Sequence, residues 1–465
     1  MAVPSSEGPP KSHGVPPGVA PGKQPGTQEH SPAPRGEEKT GFRHLLALRN
    51  FQLIWYAQVA AQLADKFLMF SLIILAYRLS HGSTPVAITL LAYTVPAVAI
   101  APLAGVFADR HNRKTIMVVT NLVRALLVLL IPLASLVPAL HNDYVHLLVI
   151  TFAFAAVGQL FSPAEAAAIP TVVSRETLIT ANSMVLATMV VTLVAGGVLA
   201  PIVSRVEIYA PYWIAAALFG AAGGLIGLAR IPRPDLEAIS PTEDRHPFHQ
   251  MAVDLKEGAK ELGSSPVLLL SFYELGLAVL VMFMMFTLAP AYVSQVLGIE
   301  AQDSYVILLP ATVGALLSAG VLGQLGRKVS PPALLVGALA ATGVTLVLLA
   351  TAPLAMREFN ELRVYTRWFG SAFSLLLGLE FGALLIPALT TLMENTSDSV
   401  RGRVFALLFM VVNGVTAVPV LLTAVLSDWF GISRVIGGLG VLLVGTGVIL
   451  SRYAKRVFAT AARPE

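Results

Sequence analysis

The chain has no cysteine among its 465 residues, and only 12% of them carry a charge. The missing thiols exclude disulfides, thiolate metal sites and a cysteine nucleophile. The scarcity of charge excludes an ordinary soluble domain, in which about a quarter of the residues are Asp, Glu, Lys or Arg. Hydrophobic residues instead make up 55% of the chain. We therefore expect an all-α integral membrane protein.

Motifs of enzymes and nucleotide-binding proteins are also missing. There is no Gly-x-x-x-x-Gly-Lys loop to hold a nucleotide phosphate, so direct coupling to ATP is not expected. The histidines are scattered without the spacing of metal ligands, and no nucleophile motif stands out. The net charge of +4 does not indicate nucleic acid as a partner, because the cations lie in short connections between apolar runs. The sequence predicts neither an enzyme nor a bound cofactor.

Many apolar runs reach the ~20 residues that a helix needs to cross a bilayer. Twelve spans fit the sequence, at about 52–78, 85–108, 115–137, 145–170, 180–204, 209–229, 266–295, 304–325, 333–355, 368–393, 404–426 and 432–453. Residues 1–42 are rich in Pro, Gly and Ser without an apolar core. We expect them to form a disordered cytoplasmic tail, with no cleavable signal peptide.

One long polar stretch divides the twelve predicted spans into six and six. It covers residues 233–263 and ends in Met251–Leu262, where apolar residues share one helical face, a pattern typical of a short helix lying at the membrane surface. We expect a six-helix bundle over residues 43–232, this inter-bundle loop, a second bundle over 264–456 and a cytoplasmic tail over 457–465.

The positive charges predict the orientation. With the N-terminus in the cytoplasm, most lysines and arginines outside the spans fall in cytoplasmic connections, as the positive-inside rule requires. The outer connections then hold only Arg78, Arg205, Arg357, Arg363, Arg367 and Arg434. We expect a multi-pass protein of the plasma (inner) membrane with both termini in the cytoplasm.

A charged cluster follows the second span and returns in the second half. Its residues are Gly105, Asp109, Arg110, Arg113 and Lys114. The counterpart after span 8 comprises Gly320, Arg327 and Lys328, with Gln324 in the place of the aspartate. The repeated spacing indicates a duplicated chain.

The first cluster resembles the cytoplasmic loop signature of the major facilitator superfamily, Gly-x-x-x-Asp-Arg-x-x-Arg-Arg/Lys. This resemblance implies two six-helix bundles in parallel repeat, with a substrate site between them near the midplane of the membrane. It also implies transport by alternating access, with a proton gradient as the energy source and no cofactor. We expect the protein to act as a monomer in the lipid bilayer.

Three further stretches resemble the branch that holds the macrolide-efflux proteins and the enterobactin exporter. They are Leu48-Arg-Asn-Phe51, Phe161-Ser-Pro-Ala164 and Arg401-Gly-Arg-Val-Phe405. Residues around Ala64-Asp65-Lys66 are similar to the bacterial lysophospholipid transporters, which leaves a lipid substrate open.

Charged residues inside spans are candidates for function, because each costs ~2.5–3.5 kcal/mol to insert. The candidates for proton coupling or for lining the substrate cavity are Asp65, Arg124, Glu165, Glu274 and Glu380. Asp65 is our first choice for proton coupling, and a structural ion pair with its neighbour Lys66 or with Arg124 is the alternative.

The three glutamates have alternatives of their own. Glu165 lies near the cytoplasmic end of its span, where Arg175 or the first loop could satisfy it. Glu274 and Glu380 could line the second half of the cavity and attract a cationic or amphiphilic substrate.

The cluster after span 2 is predicted to act as a gate. Asp109 can accept hydrogen bonds from the N-terminus of a facing helix, which would favour the outward-facing state. The alternative is that these charges only set the topology.

Together these features predict a proton-coupled exporter of amphiphilic small molecules of the drug or macrolide type. A lysophospholipid or siderophore exporter is the alternative within transport. A membrane sensor or a lipid-modifying enzyme is the alternative of another class.

Overall fold

In the computed structural model, the described residues are 42–138, 140, 144–232, 247–325, 331–396, 404, 407–408, 414 and 417–461. A compact unit extends from Thr40 to Glu465. Every regular element in its described part is helical, as the sequence predicts.

The described part of residues 42–232, the first half of the chain, contains nine α-helices. They are α1 (Phe42–Leu45), α2 (Arg49–Ser80), α3 (Ser83–Ala99), α4 (Ala101–Arg110), α5 (Arg113–Ala134), α6 (Val145–Gly158), α7 (Phe161–Ala168), α8 (Leu178–Val206) and α9 (Ala210–Leu228). Short 3-10 turns at Ile169–Thr171 and Arg175–Thr177 join α7 to α8.

The second half, residues 247–461, continues with further helices. They are α10 (Pro247–Ser264), α11 (Pro266–Ala291), α12 (Tyr305–Leu325), α13 (Pro331–Glu358), α14 (Thr366–Asn395), α15 (Ala417–Phe430) and α16 (Ile432–Ala461). A π-helical turn, Tyr292–Leu297, extends α11, and 3-10 turns lie at Ala301–Ser304 and Arg363–Tyr365. The helix expected at Met251–Leu262 lies within α10.

Ten helical segments in the described part of the chain are long and apolar enough to cross a membrane. Two shorter apolar helices, α3 and α15, lie where the second and eleventh spans are predicted. The chain is therefore a multi-pass helical membrane protein, and the count of twelve crossings stays a prediction.

Two predicted spans are each divided into two helices, where the sequence analysis expects one continuous helix. The span at 85–108 breaks at Ile100, and the span at 145–170 breaks at Gln159–Leu160. A proline lies shortly after each break, Pro102 and Pro163. Because a proline has no N–H and its ring collides with the carbonyl four residues earlier, it interrupts the helical ladder at that point.

Within each half, the helices pack closely. Helix α2 is central to the first half and packs against α8 and α9, while α5 packs against α9. In the second half α12 packs against α14, and α13 against α16. Glycines allow these contacts: a Cβ on Gly343 would lie 2.6 Å from the carbonyl oxygen of Gly440, too close for any side chain.

The two halves meet through α3, α11 and α15. An apolar cluster joins them, formed by Ala87, Leu90, Met284, Val420 and Ala424. Helix α8 also contacts α12.

Candidate functional site

Asp65, on α2, is the centre of a cluster of charge inside the first half. Lys66 Nζ lies 3.0 Å from Asp65 Oδ2, and the Tyr93 hydroxyl of α3 donates to the same oxygen at 2.6 Å. Arg124 Nη2, from α5, donates to Asp65 Oδ1. Three helices therefore converge on one carboxylate.

The Arg124 guanidinium packs against two aromatic rings that also contact each other edge to face. Its central carbon lies 4.3 Å from the ring centroids of both Phe154 on α6 and Phe219 on α9. Both contacts have the geometry of cation–π interactions, which are strongest where water is excluded. The nearby Gly158 also lies against the guanidinium, since its Cβ position is 3.4 Å from Arg124 Cζ. Arg124 is thus fixed by packing as well as by Asp65.

The side chains of the cluster differ in their solvent exposure. The Arg124 side chain is 7% exposed, whereas Asp65 is 17% and Lys66 21% exposed. Asp65 and Lys66 can therefore meet water or a ligand that Arg124 cannot reach. Two cations face a single carboxylate, so the arrangement depends on Asp65 carrying its negative charge.

Helix α8 contacts this cluster through two glycines, Gly196 and Gly197. A Cβ on Gly196 would collide with the Cβ of Lys66, and one on Gly197 would lie 3.1 Å from the Phe70 ring. In this structure α8 stays helical through both glycines. Their role here is to let α8 approach α2 beside Lys66.

The other predicted carboxylates, those of Glu165, Glu274 and Glu380, do not belong to the Asp65 cluster. Asp65 forms its ion pairs with Lys66 and Arg124, and Arg205 pairs with Asp303 elsewhere in the described part of the chain. Glu165 on α7 is buried, and its Oε1 finds no hydrogen-bond partner among the described residues. The side chain of its proposed partner, Arg175, lies outside the description.

Glu274 and Glu380 lie in the second half, on α11 and α14. Glu274 is 3% exposed, and its Oε2 has no partner within the described ranges. The Thr345 hydroxyl of α13 donates to Glu380 Oε1 at 2.7 Å, while Oε2 is buried without a described partner. These carboxylates are candidates to bind a proton or a cationic group.

The predicted gating cluster is visible in part. Arg113 Nη1 donates to the Ala167 carbonyl at 3.0 Å, which ties the start of α5 to the end of α7. Arg110 is exposed and Lys114 half-buried. A Cβ on Gly105 or Gly320 would meet nothing within 4 Å. The side chain of Asp109, and the residues Arg327 and Lys328, lie outside what the structure describes.

Hydrogen bonds and an ion pair connect the two halves at one end of the molecule, which we call the closed end. It holds the connections at residues 81–82, 207–209, 298–304 and 431. Arg205 pairs with Asp303 at 3.2 Å and donates to the Tyr305 hydroxyl at 2.7 Å. Asp428 accepts from the backbone N–H groups of Ser83 and Thr84 at 2.7 and 2.8 Å.

Comparison with known proteins agrees with this architecture. The model of the Major Facilitator Superfamily matches residues 54–418. The uncharacterized MFS-type transporter YvqJ of Bacillus subtilis (strain 168) is 24% identical over 412 residues, which cover 86% of this chain and 92% of that protein.

Two solved structures share the fold. The nucleoside transporter NupG has a TM-score of 0.63 at 11% identity, and the match covers 87% of this chain and 99% of that one. A bacterial homologue of the human lysosomal transporter Spinster has a TM-score of 0.61 at 14% identity, and the match covers 91% and 99%.

The chain belongs to the Major Facilitator Superfamily, since the family model matches more than half of its length. It is a secondary transporter of this type rather than a member of an enzyme family.

Sequence reasoning missed several residues of the site. Tyr93, Phe154, Phe219 and Thr345 are not among the site residues predicted from the sequence. Tyr93 lies in the middle of α3, the helix that follows the one carrying Asp65. A tyrosine at that position is a weak indication of a hydrogen bond to Asp65. The two phenylalanines carry no local signal at all.

The charge balance predicts the stability of variants at Asp65. Asp65→Asn leaves Lys66 and Arg124 side by side without a counter-ion, and we expect a loss of about 3 kcal/mol. Lys66→Met added to Asp65→Asn should recover more than half of this loss, because one cation is removed. Unfolding of purified protein by SDS titration in mixed micelles measures both.

Asp303→Asn is the matched control, because its partner Arg205 has a side chain that is 53% exposed. We expect a change within ~1 kcal/mol there. An Asp65→Asn variant as stable as the wild type would contradict the balance of charge described above.

Proposed function

We propose that this chain is a proton-coupled exporter of amphiphilic small molecules and that Asp65 is its coupling carboxylate. The observation that carries the proposal is the single carboxylate held by Lys66, Tyr93 and Arg124 inside a transporter of this superfamily. Asp65 retains 17% exposure, so a proton can reach it.

Protonation of Asp65 would release the cluster. A neutral carboxyl group no longer offsets the charges of Lys66 and Arg124, which then repel one another in surroundings of low dielectric constant. This arrangement of α2, α3 and α5 becomes unfavourable, and the half rearranges. A substrate that favours the ionised form would in turn expel the proton, so that substrate and proton move in opposite directions.

The apolar character of the surfaces between the halves supports the proposed substrate class. A small cavity beside the closed end, with room for about one water molecule in this state, is lined by apolar residues of α2, α11 and α12, among them Phe70, Ile73, Phe286, Pro290 and Leu308. Glu274 and Glu380 supply acidic groups in the second half. An amphiphile with an apolar body and a cationic group matches both features. A lysophospholipid or a siderophore remains the alternative cargo.

We further propose that residues 43–232 and 264–456 move as two bundles in the plasma membrane, with both termini in the cytoplasm. In that orientation the closed end faces outward, and the structure represents an inward-facing state. Asp109, Arg110, Arg113 and Lys114 would form the cytoplasmic gate, with Gly320, Arg327 and Lys328 as its counterpart. The hydrogen bond from Arg113 to Ala167 supports the idea that this loop braces neighbouring helix ends.

Replacement of Asp65 tests the coupling. In proteoliposomes loaded with a panel of a cationic dye, a macrolide and a lysophospholipid, Asp65→Asn should reduce pH-driven export at least tenfold, because Asn cannot exchange a proton. Binding of the transported probe, measured by fluorescence or equilibrium dialysis, should persist. Glu207→Gln, an exposed carboxylate at the closed end, is the matched control and should export normally.

Export by Asp65→Asn at the wild-type rate would refute the assignment. The probe that wild-type vesicles transport also decides between a drug-like and a lipid cargo.

Removal of Asp109 tests the cytoplasmic gate. The chain lacks cysteine, so spin labels can be placed at Asn182→Cys and Met393→Cys, both exposed near that end of their halves. We expect Asp109→Ala to increase the population with the longer label distance, measured by pulsed electron paramagnetic resonance. Glu361→Ala, far from the gate, should leave it unchanged. An unchanged distribution in Asp109→Ala would favour a purely topological role.

A further inference from the structure

The start of helix α3 has no cap of its own. Gly82 precedes the helix and has no side chain to accept a hydrogen bond, and the first turn contains no acidic residue. The first N–H groups of a helix carry the positive end of its dipole and need acceptors. For Ser83 and Thr84 the acceptor comes from the other half of the molecule, as the two oxygens of Asp428.

Asp428 is poorly placed for the helix that carries it. It lies two residues before the end of α15, where the partial negative charge of that helix disfavours a carboxylate. The ion pairs within the described residues do not include Asp428. Its favourable interactions are therefore the two hydrogen bonds to α3. Asp428 is unfavourable near the C-terminus of α15 but favourable at the N-terminus of α3. This combination indicates that the aspartate serves the contact between the two helices.

Beyond Asp428, towards the middle of the molecule, α3 and α15 stay in contact turn by turn. One helical turn deeper, Ala87 of α3 and Ala424 of α15 belong to the same apolar cluster, followed by Leu90 and Val420. The small residues bring the antiparallel helices together beneath the charged contact. Gly82 also lies against this contact, since its Cβ position is 3.4 Å from Asp428 Oδ2.

The same helix also reaches the Asp65 cluster. Helix α3 is continuous from Ser83 to Ala99, and Tyr93 donates to Asp65 from its middle. Thr84 and Tyr93 are nine residues apart, or about 14 Å along a helix at ~1.5 Å per residue. A displacement of α3 that breaks one of these contacts must strain the other.

We propose that Asp428 is a latch that holds the closed end shut by capping α3 from the opposite half, and that α3 links this latch to Asp65 through Tyr93. This inference rests on the alternating-access part of the proposed function. It needs neither the identity of the substrate nor the proton as coupling ion. Asp428 and Tyr93 are positioning residues in this scheme.

The test measures opening of the closed end without substrate or proton gradient. Spin labels at Leu136→Cys and Glu361→Cys, one in each half and both exposed, report the distance across that end. Asp428→Asn should raise the ratio of open to closed molecules on the order of tenfold. Glu207→Gln is the matched control, because it removes a charge at the same end whose described bond stays within its own connection. An unchanged ratio, or an equal shift in the control, would overturn the latch.

A second variant removes the donor instead of the acceptor. Proline is well tolerated at the first position of a helix, and Gly82 already has the extended backbone that precedes a proline. Ser83→Pro should therefore keep α3 intact. It removes the N–H that Asp428 accepts and places the ring where the carboxylate oxygen lies, so it should shift the same ratio in the same direction. In the Asp428→Asn background it should add less than it does in the wild type, because the contact is already weakened. Full additivity of the two shifts would show that the residues act independently and would overturn the contact as the cause.

The link to Asp65 has its own readout. Tyr93→Phe removes only the hydroxyl that binds Asp65, and we expect it to raise the open population at the closed end severalfold. Tyr212→Phe is the control, since its buried hydroxyl finds no partner in the described part of the chain. A shift for Asp428→Asn without any for Tyr93→Phe would overturn the link through α3. Wild-type export by Asp65→Asn would refute the proposed coupling and leave the latch standing, because the latch is measured without substrate or proton gradient.

Discussion

The pairing of Asp65 with two cations is the interaction on which the rest of the site depends. Arg124 has little freedom, because the rings of Phe154 and Phe219 both pack against its guanidinium. A buried cation of this kind needs a counter-charge, and Asp65 supplies it from a neighbouring helix. The positions of α2, α3, α5, α6 and α9 are thereby tied to the charge on one side chain. Such a cluster can both hold a bundle together and respond to a proton.

The architecture separates a polar interior from apolar contacts between the halves. In the first half the charges lie among helices of one bundle, whereas the described contacts across the interface are mainly apolar and are closed at one end by polar groups. Apolar surfaces can slide and separate without leaving charges unpaired. Polar end contacts such as Arg205–Asp303 and Asp428 with α3 give the arrangement a defined resting position. This division of roles suits a molecule that must alternate between two packed states.

Much of this could be predicted from the sequence, because composition and long-range charge patterns carry it. The long stretches with few charged residues predict the membrane helices, and the Gly105–Lys114 cluster predicts the family. The helix breaks at Ile100 and Leu160 can also be predicted from the sequence, since Pro102 and Pro163 follow them. Span prediction by hydropathy alone does not detect such breaks. Asp65 and Arg124 were named together as a possible pair, and the structure brings them into contact.

What the sequence could not predict depends on the angles at which helices pack. The two aromatic contacts of Arg124 involve three helices, and no local sequence pattern specifies which phenylalanines pack against the guanidinium. Asp428 meets a helix start that is hundreds of residues away, and its only signals are an uncapped Gly82 and an aspartate near the wrong end of its own helix. The buried oxygens of Glu165, Glu274 and Glu380 likewise become apparent only once burial is known.

The central claim is that Asp65 exchanges a proton and that the molecule changes shape when it does. Infrared difference spectroscopy of the reconstituted protein, recorded between neutral and acidic pH together with the label distance at the closed end, tests it most directly. The account predicts a protonated-carboxyl band that grows together with the change in distance, and the loss of both in Asp65→Asn. Identical difference spectra and an unchanged pH response of the distance in Asp65→Asn would contradict it.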